Sequence, residues 1–427
     1  MKRAPKRIYL DLPIGAEAAL ISGARSTAPV KGLTHGYYKY PARFSPEFVR
    51  AAIEAFTEVG DVCLDPHVGG GTTLVEALAL GRSAIGVDIS ALAEFVTSVK
   101  TTVFSPSEIS KLKNWAARIE VTIDIRKPSS RSAAYEKLGY YKHLGHPSRW
   151  RLSKAIDQAL ASADRLNSAS LIAFGRCAVL RTAQWALDGR KHLPTVDEFR
   201  TMLSATAENM IIGAEALIAA ITQAGVVPPK TVVLNRSAAG IEDDDRLREW
   251  SSPKLVVTSP PYPGVHVLYH RWQVDGRKEA PLPFMIANKL DGAGGSFYTM
   301  GDRKYPELKT YFDNIRSTLT SAAALATDDT VIVQMLAFSQ PEWQVDRYLA
   351  TMEEAGLTEV FLRSLSSHAD GRLWRQVPGR RWYSDQRGAT PGSHEVVLFH
   401  KRRAERTSLT IRNRQNVSEP VMRYGAS

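Results

Sequence analysis

The chain has 427 residues, enough to bury one large core with room for a second, smaller unit. Its 44% hydrophobic and 23% charged residues suit a globular protein, and two cysteines, Cys63 and Cys177, are too few for a disulfide framework or a cysteine zinc cluster. A formal charge of +11 favours a polyanionic partner, and the charge is uneven: residues 104–228 hold 17 Lys/Arg against 11 Asp/Glu, and residues 401–427 hold 7 against 2.

Residues 1–30 are basic, then small and polar, and predict a flexible basic arm. The start MKRAPKRIYLDLP lacks the apolar centre of a signal peptide, and no stretch suggests a membrane span, so a cytoplasmic protein with no membrane contact is expected. From Glu47 onward Phe48, Ala51, Ala52, Ala55 and Phe56 share a helical face. A short apolar strand at 62–64 runs into Asp65-Pro66 and three glycines. A helix is predicted at 73–80, then a buried strand at 84–87 ending at Asp88. Strand, glycine turn, helix, strand is a βαβ unit and predicts an α/β fold with a doubly wound, Rossmann-like parallel sheet.

From 106 to 224 the periodicity is helical almost throughout, with helices expected at 156–163, 171–186 and 196–222. Strands resume at 231–234, 255–258, 331–335 and 395–400, with a helix at 345–355 between the last two. The organisation that follows is one catalytic domain from residues 31–103 and 229–400. A helical insert at 104–228 interrupts it, its excess of basic residues making it a candidate recognition region for the polyanionic partner, and a basic tail at 401–427 follows.

The segment Asp65-Pro66-His67-Val68-Gly69-Gly70-Gly71-Thr72-Thr73 leaves a strand and opens a helix, where glycines let the backbone approach a ligand. No lysine follows them, which argues against a nucleoside-triphosphate loop, and Asp88 after the next strand is placed to hold ribose hydroxyls. After the strand at 255–258 stands Ser259-Pro260-Pro261-Tyr262, at the strand end where open α/β sheets bind ligands. A base amino nitrogen is a poor nucleophile because its lone pair is delocalised into the ring. The Ser259 hydroxyl and a carbonyl near Pro260 are suited to hold its two hydrogens, while Tyr262 stacks on the base.

These segments, with Tyr40-Pro41-Ala42-Arg43-Phe44-Ser45-Pro46 upstream, resemble the amino-methyltransferases of DNA restriction-modification systems over roughly residues 35–103 and 231–400. The resemblance implies S-adenosylmethionine as cofactor, a Rossmann-like methyltransferase sheet, and double-stranded DNA as substrate, its target base flipped out. A restriction endonuclease acting on the same sequence is the implied companion. Tyr40, Pro41, Ala42 and Phe44 would close over the cofactor, and Asp65, Pro66, Gly69, Gly70, Gly71, Thr72 and Thr73 would frame its methionine part. Asp88 would hold the ribose, Ile89 the adenine, and Asn235 would stand where the family usually has an acid near the adenine. His67 departs from the family's usual Phe. Thr-Ser-Pro-Pro-Tyr is typical of enzymes acting on N4 of cytosine, with N6 of adenine the alternative. Carbon-5 methylation needs a cysteine in a loop, and neither cysteine is predicted to lie in one.

His266 and His270 are helically spaced, but no third ligand is evident and no metal is expected. His270 and Arg271 instead suggest lining of the base pocket. Arg372, Arg375, Arg380, Arg381 and Arg387, interleaved with Trp374, Trp382 and Tyr383, suggest phosphate contacts with stacking. An RNA base methyltransferase and a non-catalytic nucleic-acid-binding regulator are the competing expectations.

Overall fold

A computed structural model describes residues 7–40, 44–190, 192–225, 227–264, 271–275, 278–292, 298–301, 305–376 and 394–403. The chain begins with α1 (Ile14–Arg25) and α2 (Pro46–Phe56), followed by β1 (Val62–Asp65), α3 (Thr72–Ala79), β2 (Ser83–Asp88) and α4 (Ala91–Thr101). Six helices come next: α5 (Pro106–Ala116), α6 (Ile119–Thr122), α7 (Ala133–Lys137), α8 (Trp150–Ala163), α9 (Ala169–Leu187) and α10 (Val196–Ala224). The sheet resumes with β3 (Thr231–Asn235) and β4 (Leu255–Thr258), then a hairpin of β5 (Trp272–Asp275) and β6 (Lys278–Ala280), and α11 (Leu282–Ile286). The last elements are α12 (Lys309–Leu325), β7 (Val331–Ala337), α13 (Pro341–Glu354), β8 (Leu357–Val360), β9 (Leu373–Gln376) and β10 (His394–Arg402).

The main sheet runs β3-β2-β1-β4-β7-β10-β8, with β9 also pairing β10. From β3 to β7 all pairings are parallel, and β10 is antiparallel to β7, β8 and β9. β1 and β4 are buried at every position, the continuous apolar pattern of parallel strands covered on both faces. From β1 the strand order steps outward one way through β2 and β3 and from β4 the other way through β7, so the carboxyl ends of β1 and β4 flank the topological switch point, where such sheets bind ligands.

Local chemistry sets the helix ends around this edge. Ser45 caps α2 by accepting from the Phe48 N–H with Pro46 at the first turn, and Ser90 caps α4 by accepting from Ala93. The insert helices carry stronger signals, with capping boxes at Ser105/Glu108 and Thr195/Glu198. The insert is helical as its periodicity predicts, and it is not a separate body. One core cluster runs from Tyr37, Tyr38 and Leu92 through Leu112, Ile156, Phe174 and Phe199 to Trp272 and Phe284.

Two expectations change. The expected flexible arm contains α1, which packs on α2 and buries Leu20 and Ala24. Glu17 anchors it, accepting from the Arg363 N–H at 2.9 Å, the Ser364 N–H at 2.8 Å and the Ser364 hydroxyl. The second concerns α10, whose 29 residues are long and apolar enough to cross a membrane. Phe199, Leu203, Ala207, Ala214 and Leu217 are nevertheless buried in the fold, as in a core helix of the insert.

Candidate active site

The glycine turn after β1 is held from three sides. Asp65 accepts from the His67 N–H at 3.1 Å and the Thr73 hydroxyl at 2.7 Å, tying the strand end to the first turn of α3. From α4 the buried Lys100 donates to the Gly70 carbonyl at 2.6 Å, and the Thr97 hydroxyl to the Gly69 carbonyl at 3.3 Å. Gly71 has a φ of +77° and a Cβ there would lie 2.7 Å from the Thr97 hydroxyl, so both conformation and space demand glycine. At Gly69, with φ of +44°, the Cβ direction is open except for the His67 carbonyl at 3.8 Å. That open face is a cradle which a side chain would fill. The ring of Tyr40, 3% exposed, packs 3.1 Å from the Cβ position of Gly70 and walls the turn.

Asp88, at the end of β2, accepts from the Gly69 N–H at 2.9 Å and the Ser90 N–H at 2.8 Å, one bond on each carboxylate oxygen. Each oxygen keeps a further lone pair for a ligand hydroxyl. Burial pushes Asp88 up to about 6 and Asp65 up to about 7, with the hydrogen bonds pulling the other way. Ile89 is half-buried beside the turn, and the exposed Asn235 donates to the Asp88 carbonyl at 3.1 Å, so β3 delivers it to the same edge.

His67 joins this turn to β4. Its Nδ1 lies 3.1 Å from the Thr258 hydroxyl, which in turn bonds Asp65. With the Thr258 proton on the carboxylate, the imidazole donates through Nδ1–H and its Nε2 is left as an acceptor. That Nε2 is buried with no partner among the described residues. Burial lowers the His67 pKa to about 3, so the ring is neutral.

The Ser-Pro-Pro-Tyr loop follows directly. Ser259 donates to the Tyr262 hydroxyl at 3.3 Å, and Tyr262 donates to Glu395 on β10 at 2.8 Å. The Pro261 carbonyl accepts from Tyr311 of α12 at 2.8 Å and the Pro263 carbonyl from Ser339 at 3.1 Å. No described residue donates to the Pro260 carbonyl. The Pro261 and Pro263 carbonyls are fixed by their bonds. Glu395 and Tyr311 escaped the sequence reading; a lone acid at the start of the apolar β10 was the available signal for Glu395.

Pro66 lies in the turn, Thr72 and Thr73 open α3, and the Phe44 ring centroid is 6.2 Å from that of Phe48. Pro41, Ala42, His270, Arg380, Arg381 and Arg387 lie outside the described residues. Three residues expected to contact nucleic acid also pair within the protein. Arg375 is 8% exposed and bonds Glu395 through Nε at 2.6 Å and the Ala24 carbonyl at 2.8 Å. Arg372 makes a two-pronged pair with Glu359 at 2.7 and 2.9 Å, and Arg271 bonds Asp291 at 2.7 Å. Each of these guanidinium groups thus has a carboxylate partner within the protein. Among the described residues no cluster of three His, Cys, Asp or Glu could hold a metal. Cys63 and Cys177 are buried, and burial pushes both thiols up to about 12, which leaves neither suited to attack a cytosine ring.

Residues 21–97 match the DNA methylase family. The Type II methyltransferase M.MvaI of Kocuria varians is 39% identical over 84 residues, 19% of this chain and 18% of its own length. The Type II methyltransferase M.MjaII of Methanocaldococcus jannaschii is 33% identical over 78 residues, 18% of this chain and 15% of its own. The chain thus matches less than a fifth of the length of these curated relatives. A solved structure, the rRNA methyltransferase aviRa from Streptomyces viridochromogenes, aligns over 88% of this chain and 96% of its own at 11% identity. Its TM-score of 0.31 carries no argument.

Proposed function

We propose that this chain is a DNA amino-methyltransferase, a reading supported by its match to the DNA methylase family over residues 21–97, and that it methylates the exocyclic N4 amino group of cytosine in double-stranded DNA. The observation that carries this reading is the adjacency of the glycine turn and the Ser-Pro-Pro-Tyr loop at the ends of neighbouring β1 and β4, joined through His67 and Thr258.

The family's methyl donor, S-adenosylmethionine, supplies a methyl group on a positively charged sulfur. The residues present fit it. Asp88 has lone pairs for the ribose hydroxyls, and the open face of Gly69 lets the methionine part lie against backbone. His67, kept neutral by burial, puts no like charge beside a sulfonium. On the substrate side Ser259 gives its proton to Tyr262, so its oxygen accepts one amino hydrogen. The Pro260 carbonyl accepts the other. Holding both hydrogens in the ring plane's edge turns the nitrogen lone pair toward the methyl donor, a gain of orientation rather than of basicity. Tyr262 offers its face to the flipped base. Serine at the head of the loop, rather than an acid or an amide, supports cytosine over adenine.

The test is nucleoside mass spectrometry of duplex DNA and of RNA after incubation with the protein and methyl-labelled cofactor. N4-methyldeoxycytidine is the expected product. N6-methyldeoxyadenosine would keep the reaction and move the base, label in RNA alone would move the substrate, and no label in either would overturn the reading. A nuclease cutting the same sequence is the companion such an activity would guard against.

A further inference from the structure

A cavity of about 230 Å³ lies away from the sheet edge, between the turn at residues 33–37, α9 and α10. Tyr37 and Tyr38, both fully buried, and then Tyr40 stand between it and the glycine turn. Its lining is mixed: Arg181 and Trp185 from α9, and Met202, Thr206 and Asn209 from α10. Met202, Thr206 and Asn209 are spaced to share one face of α10.

Arg181 is the anomaly. Several other half-buried or buried arginines are tied down: Arg82 by Thr57 and Leu80, Arg176 by Asp164 and Ile286, Arg271 by Asp291, Arg372 by Glu359 and Arg375 by Glu395. No described residue accepts a hydrogen bond from Arg181 or pairs with it. A guanidinium has five donors and no acceptor. Desolvating it without a partner is costly, and burial accordingly lowers its pKa, opposed by the nearby Tyr38 and Cys177. A second cation stands at the rim, where Arg190 stacks 4.3 Å over the Trp185 ring. Asn209 donates one amide hydrogen to the Ala205 carbonyl, leaving its second amide hydrogen and its oxygen for other partners.

We propose that this cavity binds a phosphoryl group on Arg181, with the attached sugar against Trp185 and Met202. The space matches about eight waters at roughly 30 Å³ each, enough for a phosphate and its sugar and too little for a base pair. The phosphoryl group comes either from a strand of the DNA or from a free nucleotide. The first source rests on the proposed DNA substrate, and it turns the basic insert into a backbone clamp rather than only a brace; the second does not need that reading.

The experiment uses the full chain and three probes: a fluorescent 30-base-pair duplex over a salt series, deoxycytidine 5′-monophosphate, and inorganic phosphate, the last two by calorimetry. Arg181→Gln should weaken duplex binding about tenfold and flatten the salt slope by about 0.9, the signature of one lost phosphate contact. Met202→Phe, which fills the cavity from α10 without touching the charge, should weaken it similarly and covers the case in which Arg181→Gln fails to fold. If the nucleotide or phosphate binds the native chain and is lost in both variants while the duplex is unaffected, the site stands and its source is a free ligand. If a folded Arg181→Gln and the cavity-filled variant bind all three probes as the native chain does, or if the native chain binds none, the proposal is overturned. Cofactor affinity, measured alongside, should be unchanged in both variants, and its loss in the native chain would count against the methyltransferase reading instead.

Discussion

Tyr262 donates its hydroxyl to Glu395 at 2.8 Å, and the other oxygen of that carboxylate pairs with Arg375 at 2.6 Å. The ring assigned to the target base is therefore held by β10, and through Arg375 by the carbonyl of Ala24 at the end of α1. The Ser-Pro-Pro-Tyr loop is thus anchored by residues far apart in the chain, Ala24 and Glu395.

Removing the ring should separate catalysis from cofactor binding. Stacking of an aromatic on a base is worth about 1–3 kcal/mol, so Tyr262→Ala is expected to lower kcat/KM for methyl transfer roughly 5- to 150-fold. Tyr262→Phe keeps the stacking face and should lose much less. Cofactor affinity by calorimetry should match the native chain in both. Equal activity of Tyr262→Ala and the native chain on duplex DNA would remove Tyr262 from the base pocket.

The parallel strands, the glycine turn and the helical insert were legible because each rests on local pattern: continuous apolar runs, glycines after a strand, and helical periodicity with clear caps. What was not legible rests on pairing across the chain. The helix α1 carries glycine and serine and a weak apolar stripe, and it is fixed by Glu17 reaching residues 363 and 364. Arg372 and Arg375 look like solvent-facing charges until β8 and β10 bring Glu359 and Glu395 beside them. The short β8 and β9 escaped for the same reason: each exists because β10 is there to pair with it.

Glu17 should therefore matter to stability far more than its place near the start suggests. Hydrogen bonds to a charged group contribute about 1.5–3 kcal/mol each, so Glu17→Ala, which removes the acceptor for two backbone N–H groups and one hydroxyl, should cost about 4.5 kcal/mol at the low end of that range. Burial alone would raise the Glu17 pKa, but the bonds from Ser364 and Arg363 outweigh it and hold it below the usual value. Its contribution is present above the unfolded pKa and disappears as pH falls through the lower folded one. Urea midpoints at neutral pH give the check, and an unchanged midpoint would mean that α1 is held by its apolar contacts alone.

At Asp88 the expected effect is on the cofactor. Asp88→Ala removes a charge-assisted contact worth about 1.5–3 kcal/mol, a loss of roughly 10- to 150-fold in affinity for S-adenosylmethionine. Because burial raises Asp88 to about 6, the native affinity should fall as pH drops through that value and the carboxylate takes a proton. Asp88→Asn should bind weakly with no such step. A native affinity that is flat between pH 5 and about 7.5, measured by calorimetry, would place the ribose on other groups.

His67 titrates in the opposite sense. Its folded pKa, lowered to about 3 from an ordinary 6.5, means that between those values the unfolded chain binds a proton the folded chain refuses. Stability from this residue is complete above about 6.5 and declines as pH falls toward 3. Asp65 and Asp88, raised by burial, bind protons more tightly when folded and work against that decline over part of the range. The native pH profile alone is therefore ambiguous, and the informative quantity is a difference. His67→Phe restores the family's usual residue, removes the bond to Thr258 and cannot bind a proton. At pH 7.5 the variant's Tm should be equal to or below the native value. As the pH is lowered to about 4.5, the variant should gain steadily on the native chain, because the carboxylates are common to both and cancel. A Tm difference that stays constant across this range would show that His67 takes up its proton in the folded chain, and the neutral imidazole beside the cofactor site would have to be abandoned.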